Sequence, residues 1–300
     1  MKRVLLWGME KCFWENIYVI KYYEMLGKFH VLGVTSNMPV YKEAYGYKYI
    51  RKNDIKSLEF DAIVVMTEEQ TYRQILNEAF SLGITSEKIF NYRVLKMQGF
   101  DIDKYIKIRR NTPSIFSNNC WGGLTYHSLD LEFASPLINM FENNADYLKL
   151  LGNLKKYMAE ELKLISTKYE DDLDIYYPIV KCGDITLHFN HYNSFEQAKL
   201  CWERRKKRIN WDNLLVMMYT EERDLANEFI KLPYKRKVCF VPFDSDKKEL
   251  IYIEFKNRGN LAQEPFWKIV NEMASGVHPY YNVLDLIGEG KFNKLENIRI

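Results

Sequence analysis

The sequence lacks any pair of cysteines spaced to form a staple or hold a metal. Its five cysteines (Cys12, Cys120, Cys182, Cys201 and Cys239) are odd in number, scattered and free of CxxC spacing. That pattern fits a reduced, cytoplasmic protein better than a disulfide framework or a structural zinc site, and neither a metal nor a cofactor is expected. Long apolar runs are also missing, since nothing approaches the ~20 residues that cross a bilayer. The start MKRVLLWGMEK is basic, but its apolar run is too short for a signal peptide. Charge of one sign is lacking as well: 43 Lys and Arg against 40 Asp and Glu leave a net +3. So small a surplus gives no general reason to expect nucleic-acid or membrane binding. There is no internal repeat and no low-complexity segment.

What is present is ample apolar material, 47% of 300 residues, enough for two globular domains. In the first hundred residues, RVLLWG, FHVLGVTSN, FDAIVVMT and EKIFNY read as short strands. FWENIYVIKYYEMLG and TYRQILNEAFSLG read as helices that close on Gly27 and Gly83. Unalternating apolar strands separated by amphipathic helices predict a parallel sheet covered on both faces, a Rossmann-like domain over residues 1–100. The dinucleotide fingerprint G-x-G-x-x-G is absent. Gly8 is its only glycine, Glu10 falls where a phosphate would sit, and TSN after the second strand offers no acid for a ribose. A scaffold, or a site for a different ligand such as a nucleotide-sugar, is the stronger expectation.

Residues 101–112 are polar and basic and read as the crossing between domains, with a short helix over Ile102 to Arg109. From 113 to 300 strands and helices alternate again, predicting a second, three-layer α/β/α domain. Leu148, Leu151, Leu154, Met158, Leu162 and Ile165 predict one helix from Asp146 to Ile165. DITLHFNHY predicts a strand, and Ser194 with Gln197 a capping box that opens a helix over FEQAKLCWERRKKRI. Later strands are expected at NLLVMMY, RKVCFVPF and ELIYIEF, and later helices at EERDLANEFIKLP, PFWKIVNEMASG and YYNVLDLIG.

Three stretches carry side chains capable of chemistry. In SNNCWGG, Cys120 follows a strand, Asn118 and Asn119 bring amide donors, and Gly122 and Gly123 let backbone N–H groups turn inward beside Trp121. A thiol nucleophile needs such donors for a developing oxyanion. The same run also reads as a glycine turn holding a packed tryptophan and a small buried cysteine. In DITLHFNHY a period of two sets His188 and His191 on opposite faces, which disfavours a metal pair. His188, on the polar face with Thr186 and Asn190, is the preferred general base and His191 the reserve, with a core histidine as the alternative. In CWERRKKRINWDN, Arg205 and Arg208 are candidate anion clamps. Asp212 there is a candidate partner for a histidine or a sugar hydroxyl. A basic run of this kind is also an ordinary solvated face.

SNNCWGGLTYHSLDLEFASPLINMF, GDITLHFNHYNSFEQAKLCWERRKKRINWDNLLVMM and LPYKRKVCF occur in that order. They resemble the family known as domain of unknown function 1919, over roughly Pro113 to Phe243. The resemblance implies a setting in bacterial exopolysaccharide or capsule biosynthesis, with a small molecule or saccharide precursor as partner and no nucleic acid. The order Cys120, Ser135-Pro136, His188 and an Arg-rich helix is also similar to papain-like cysteine peptidases, although no acid or amide follows the histidine at the diagnostic spacing. Together these give the expected function: a transferase or hydrolase with a cysteine–histidine site. The alternative is a non-catalytic nucleotide-sugar-binding or assembly module.

Overall fold

The structure, a computed structural model, describes residues 1–38, 42–171, 174–253, 265–274 and 281–293. It divides into two compact units, Met1–Arg110 and Asn111–Ile300. In the first unit, β1 (Lys2–Trp7), α1 (Lys11–Met25), β2 (Phe29–Thr35), the small hairpin β3 (Glu43–Ala44) and β4 (Tyr47–Lys48), β5 (Ala62–Val65), α2 (Glu69–Ser81), β6 (Ile89–Asn91) and α3 (Ile102–Arg110) follow in order. Their main sheet runs β2-β1-β5-β6, with every pairing parallel. Val4 to Trp7 and Ala62 to Val65 are all fully buried, which is why these strands read as unbroken apolar runs. The helix α3 packs inside this unit, with Tyr105 edge-on to Phe90 at 4.9 Å. Most of the expected crossing at 101–112 is therefore a buried helix face, and only Asn111, Thr112 and Pro113 separate that helix from the next strand.

The second unit opens with β7 (Ser114–Ser117) and α4 (Trp121–Ser128), then α5 (Asn144–Gly152), α6 (Leu154–Ala159), β8 (Leu162–Glu170), β9 (Ile175–Cys182) and β10 (Ile185–His188). It continues through α7 (Phe195–Lys206), β11 (Leu214–Tyr219), α8 (Arg223–Ile230), β12 (Lys237–Val241), β13 (Leu250–Tyr252), α9 (Phe266–Met273) and α10 (Val283–Glu289). A parallel sheet runs β13-β12-β11-β7, and a separate antiparallel sheet runs β10-β9-β8. One core joins them: Phe116 and Val216 from the parallel sheet, Val180 and Leu187 from the antiparallel one, Trp202 from α7 and Phe229 from α8. The chain is thus an α/β protein with parallel sheets in both units.

Two sequence expectations are corrected. The single helix from Asp146 to Ile165 is two short helices and a strand. Gly152 weakens the first, and Asn153 at φ −148° and ψ 59° leaves helical geometry altogether. From Leu162 onward the chain pairs with β9 instead, the β-branched Thr167 opposite Pro178 and the aromatic Tyr169 opposite Tyr176, with Ile165 at a register shift between Leu164 and Ser166. The strand over DITLHFNHY ends at His188, because the Tyr192 N–H turns back to the Phe189 carbonyl at 2.9 Å. His191 therefore sits on a turn, outside the period-two pattern. Half of the capping box forms as read: the Gln197 N–H donates to Ser194 Oγ at 3.1 Å, while Gln197 Oε1 accepts the N–H of Asn193 in place of Ser194, at 3.4 Å. The last residues of ELIYIEF and PFWKIVNEMASG, and the first of YYNVLDLIG, lie outside the described residues.

Candidate functional site

The second unit's candidate site lies where parallel strands β7 and β11 end, the edge at which open α/β sheets carry their ligands. Beyond β7 the chain makes a short polar turn and enters α4 with Cys120 at its N-cap. Ser117 Oγ accepts the Gly122 N–H at 3.0 Å and donates to the Asn119 carbonyl at 2.8 Å. Asn119 Oδ1 takes the Trp121 N–H at 3.1 Å. The glycines are needed for close packing. A Cβ on Gly122 would lie 2.7 Å from Ser117 Oγ, and one on Gly123 would lie 3.3 Å from Ile138 Cγ2. Trp121 is fully buried, its Nε1 donating to the Tyr281 hydroxyl at 3.0 Å. The turn is therefore rigid, and its thiol is left without a capping role.

Cys120 Sγ lies 3.5 Å from His191 Nε2. His191 is held by the turn that follows β10. Next to it, the Tyr192 hydroxyl donates to the Ile138 carbonyl at 2.7 Å and receives the Arg205 guanidinium. No described side chain bonds His191 Nδ1, so the pair is a dyad without an orienting acid. A cavity of about 660 Å³ opens beside it. Its walls carry the amides of Asn119, Asn139, Asn190 and Asn271 and the rings of Phe141, Tyr219 and Trp267. Leu124 and the carboxylate Glu170, at the end of β8, also line it. Asn139 adopts φ 59°, a left-handed conformation that asparagine tolerates better than most residues.

Burial dominates the electrostatics. Loss of water pushes the Cys120 thiol up to about 11, and the nearby Glu142 carboxyl adds to the shift. The α4 N-terminus favours a thiolate, but desolvation and Glu142 outweigh it, so the resting sulfur is a neutral thiol. Burial also lowers His191, which stays neutral and able to accept a proton. Glu142 itself is 3% exposed, with neither carboxyl oxygen hydrogen-bonded among the described residues. Its own affinity for a proton is raised, first by burial and then by Asp146. Nothing in the local sequence marks Glu142, because the turn that buries it is fixed by the Glu142 N–H bonding the Asn118 carbonyl, 24 positions back, at 3.4 Å.

The structure brings Cys120, Asn119 and His191 to one cavity and leaves the other sequence candidates elsewhere. His188 stacks flat on Phe141, with ring centroids 4.6 Å apart, and its Nδ1 has no partner among the described residues. Desolvation, then Lys168, lowers its pKa, so it is a neutral slab behind a cavity wall. Asn118 ties two strands together: its amide donates to Tyr219 O at 3.0 Å and to Asn144 Oδ1 at 2.9 Å, and its Oδ1 accepts the Tyr219 N–H at 3.0 Å. The backbone N–H groups of Trp121 and Gly122 are engaged within the turn, leaving the Asn119 side chain as the available donor. Arg205 is buried against Tyr192 and the Phe133 ring. Arg208 pairs with Glu132 at 2.6 Å. Asp212 is exposed just before β11, at the opposite end of that strand from Tyr219. Among the described residues, no group of His, Cys, Asp and Glu could hold a metal ion, and no helix is long and apolar enough to cross a membrane.

Known proteins place the chain as follows. Residues 1–90 match a family model described as C2185-like, N-terminal. A protein of Haemophilus influenzae (strain ATCC 51907 / DSM 11121 / KW20 / Rd), named only "Uncharacterized protein", is 33% identical over 154 residues, covering 49% of this chain and 71% of that one. Among solved structures, aspartate semialdehyde dehydrogenase II of Vibrio cholerae complexed with ASA aligns over 83% of this chain and 86% of its own, at 9% identity. Its TM-score of 0.24 carries no argument. Residues 91–287, which include the whole Cys120–His191 site, match the model of the domain of unknown function (DUF1919), and the chain belongs to that family.

Proposed function

We propose that the chain is a thiol-dependent transferase or hydrolase that acts on an acylated precursor of bacterial surface polysaccharide in the cytoplasm, with Cys120 as nucleophile and His191 as general base. The observation that carries this reading is the 3.5 Å approach of Cys120 Sγ to His191 Nε2 at the wall of an open cavity. A thiol beside an imidazole suits acyl transfer. His191 Nε2 takes the thiol proton as the sulfur bonds to the acyl carbon. The carbonyl π pair moves to oxygen and returns as the bond to the leaving hydroxyl breaks, and His191 passes the proton to that oxygen. Water or an acceptor hydroxyl then attacks the thioester, with His191 taking its proton and returning it to the sulfur. A general base of this kind contributes about 10²–10⁴ in rate.

We read the first unit as Rossmann-like and the second as a three-layer α/β/α domain. The order β2-β1-β5-β6 with intervening helices supports the former. One observation favours a second reading, a binding module without turnover: the thiol pushed up to about 11 is poorly ionised at rest. Genetic complementation separates the two. In a strain lacking the native chain, Cys120→Ala and His191→Ala each abolish surface-polysaccharide acylation or assembly if the site is catalytic. Full production by both variants overturns the enzyme reading.

A further inference from the structure

Three of the four amides around the cavity have a hydrogen-bonding atom that is buried and unpaired among the described residues: Asn119 Nδ2, Asn190 Oδ1 and Asn271 Oδ1. Buried polar atoms are normally satisfied, so three unpaired ones, each closed to water, on residues of one cavity wall point to groups that a ligand supplies once the amides turn toward it. Asn119 is the best defined. It is 5% exposed, and the Trp121 N–H on its Oδ1 fixes which way the amide faces, leaving Nδ2 as a donor beside Cys120. Asn190 and Asn271 present acceptors, or donors if the amide turns over. Hydroxyl groups satisfy either orientation, whereas carboxylate and phosphate oxygens only accept.

The remaining walls agree. Trp267 keeps 47% of its surface exposed, and Tyr219 and Phe141 add further ring surface suited to the apolar C–H faces of a sugar. Glu170 places a negative charge on the cavity wall, while the described lining includes no lysine or arginine and His191 is held neutral. The α4 N-terminus would offset part of an anion's charge, but no described cation would pair it and Glu170 would repel it. From these residues we infer that the cavity binds a neutral, hydroxyl-rich glycan in preference to an acidic or phosphorylated one. Asn119 Nδ2 donates to the carbonyl oxygen of its acyl group, and Asn190 and Asn271 hold its hydroxyls. This rests on the thiol-enzyme reading only for the acyl group, because recognition of the glycan does not require turnover.

The test uses the full chain carrying Cys120→Ala, which binds without reacting, on a glycan array holding neutral oligosaccharides, uronate-bearing oligosaccharides and sugar phosphates. Uridine diphosphate-glucose is added as a soluble competitor. The expected result is binding confined to neutral members, undisturbed by the competitor. Trp267→Ala weakens it about tenfold by uncovering one sugar face, and Asn271→Ala weakens it measurably. Preferred binding of acidic or phosphorylated members, displacement by the nucleotide-sugar, no binding at all, or indifference to Trp267→Ala overturns the inference. Neutral-glycan binding with no Cys120-dependent turnover in the parent chain would sink the enzyme reading alone. Turnover with acidic glycans would sink the ligand assignment alone.

Discussion

The neutral resting thiol leads to a quantitative expectation for Cys120 reactivity. A thiol at about 11 is thiolate to about one part in 10⁴ at pH 7. Free cysteine, near 8.5, is ionised to about 3%. The thiolate population is therefore about 300-fold smaller. The more basic sulfur is intrinsically more nucleophilic, and a Brønsted slope of about 0.4–0.5 over the 2.5-unit gap recovers about 10- to 20-fold. Iodoacetamide at pH 7 should thus alkylate Cys120 about twentyfold more slowly than free cysteine. The logarithm of the rate should climb one unit per pH unit past pH 9 with no shoulder near neutrality. Peptide mass spectrometry reads Cys120 separately from the half-buried Cys201 and the buried Cys12, Cys182 and Cys239. A fast plateau between pH 6 and 7 that vanishes in His191→Ala would mean a stored thiolate–imidazolium pair, and the argument that desolvation and Glu142 outweigh the helix terminus would be refuted.

Four other substitutions test the site and its surroundings. Glu142 has a raised pKa in the folded state, so the folded chain holds a proton that the unfolded chain releases. Its contribution is greatest below its ordinary value of 4.5 and declines as pH rises from there to the folded value. Glu142→Gln should flatten that decline in urea titrations from pH 4 upward; an unchanged pH dependence would show that the carboxyl is not buried and unpaired. Gly122→Ala gains helix propensity but drives a Cβ to 2.7 Å from Ser117 Oγ. The net cost is about 1 kcal/mol and about 2–4 °C in thermal melting, with turnover falling further because Ser117 and Asn119 are displaced. Arg208→Ala should change stability by less than about 1 kcal/mol, its partner Glu132 being on the surface. Arg205→Ala should cost about 2–4 kcal/mol, since it empties a buried, hydrogen-bonded position; equal effects of the two in denaturant melts would contradict their different burial.

The parallel strands were legible because burial on both faces leaves an unbroken apolar signature, as in AIVV of β5 and LLVMMY of β11. The SNNCWGG turn was legible as a tight turn because paired glycines and amides follow a buried strand, and the structure sets its thiol beside a cavity. The histidines were not. Choosing His188 over His191 assumed that a strand continues to Tyr192, yet where it stops depends on tertiary contacts with Pro178, Ile138 and Arg205. Asn118 and Asn119 are neighbours of one residue type. Only the position of β11, about a hundred residues later, makes one a strand clamp and leaves the other facing the cavity. The arginine run looked like an anion site for want of any local sign that Tyr192, 13 positions earlier, would bury Arg205.

The 3.5 Å approach of sulfur to imidazole is produced by two separately anchored pieces of chain. Cys120 is fixed to the parallel sheet through Ser117 and Asn119, and His191 to the antiparallel sheet through the turn after β10. What couples the two sheets near the site is the pairing of Phe141 with His188. Their backbones exchange hydrogen bonds at 3.1 and 3.2 Å while their rings stack. The next residue, Glu142, in turn bonds the Asn118 carbonyl of the thiol-bearing turn. We therefore read His188, the residue the sequence favoured as base, as a positioning residue for His191. Replacing it with phenylalanine keeps the slab and removes the titratable nitrogens, whereas alanine removes both. A positioning role requires the first variant to keep the wild-type pH profile of Cys120-dependent turnover and the second to alter it. A general base at His188 would make the two equally defective.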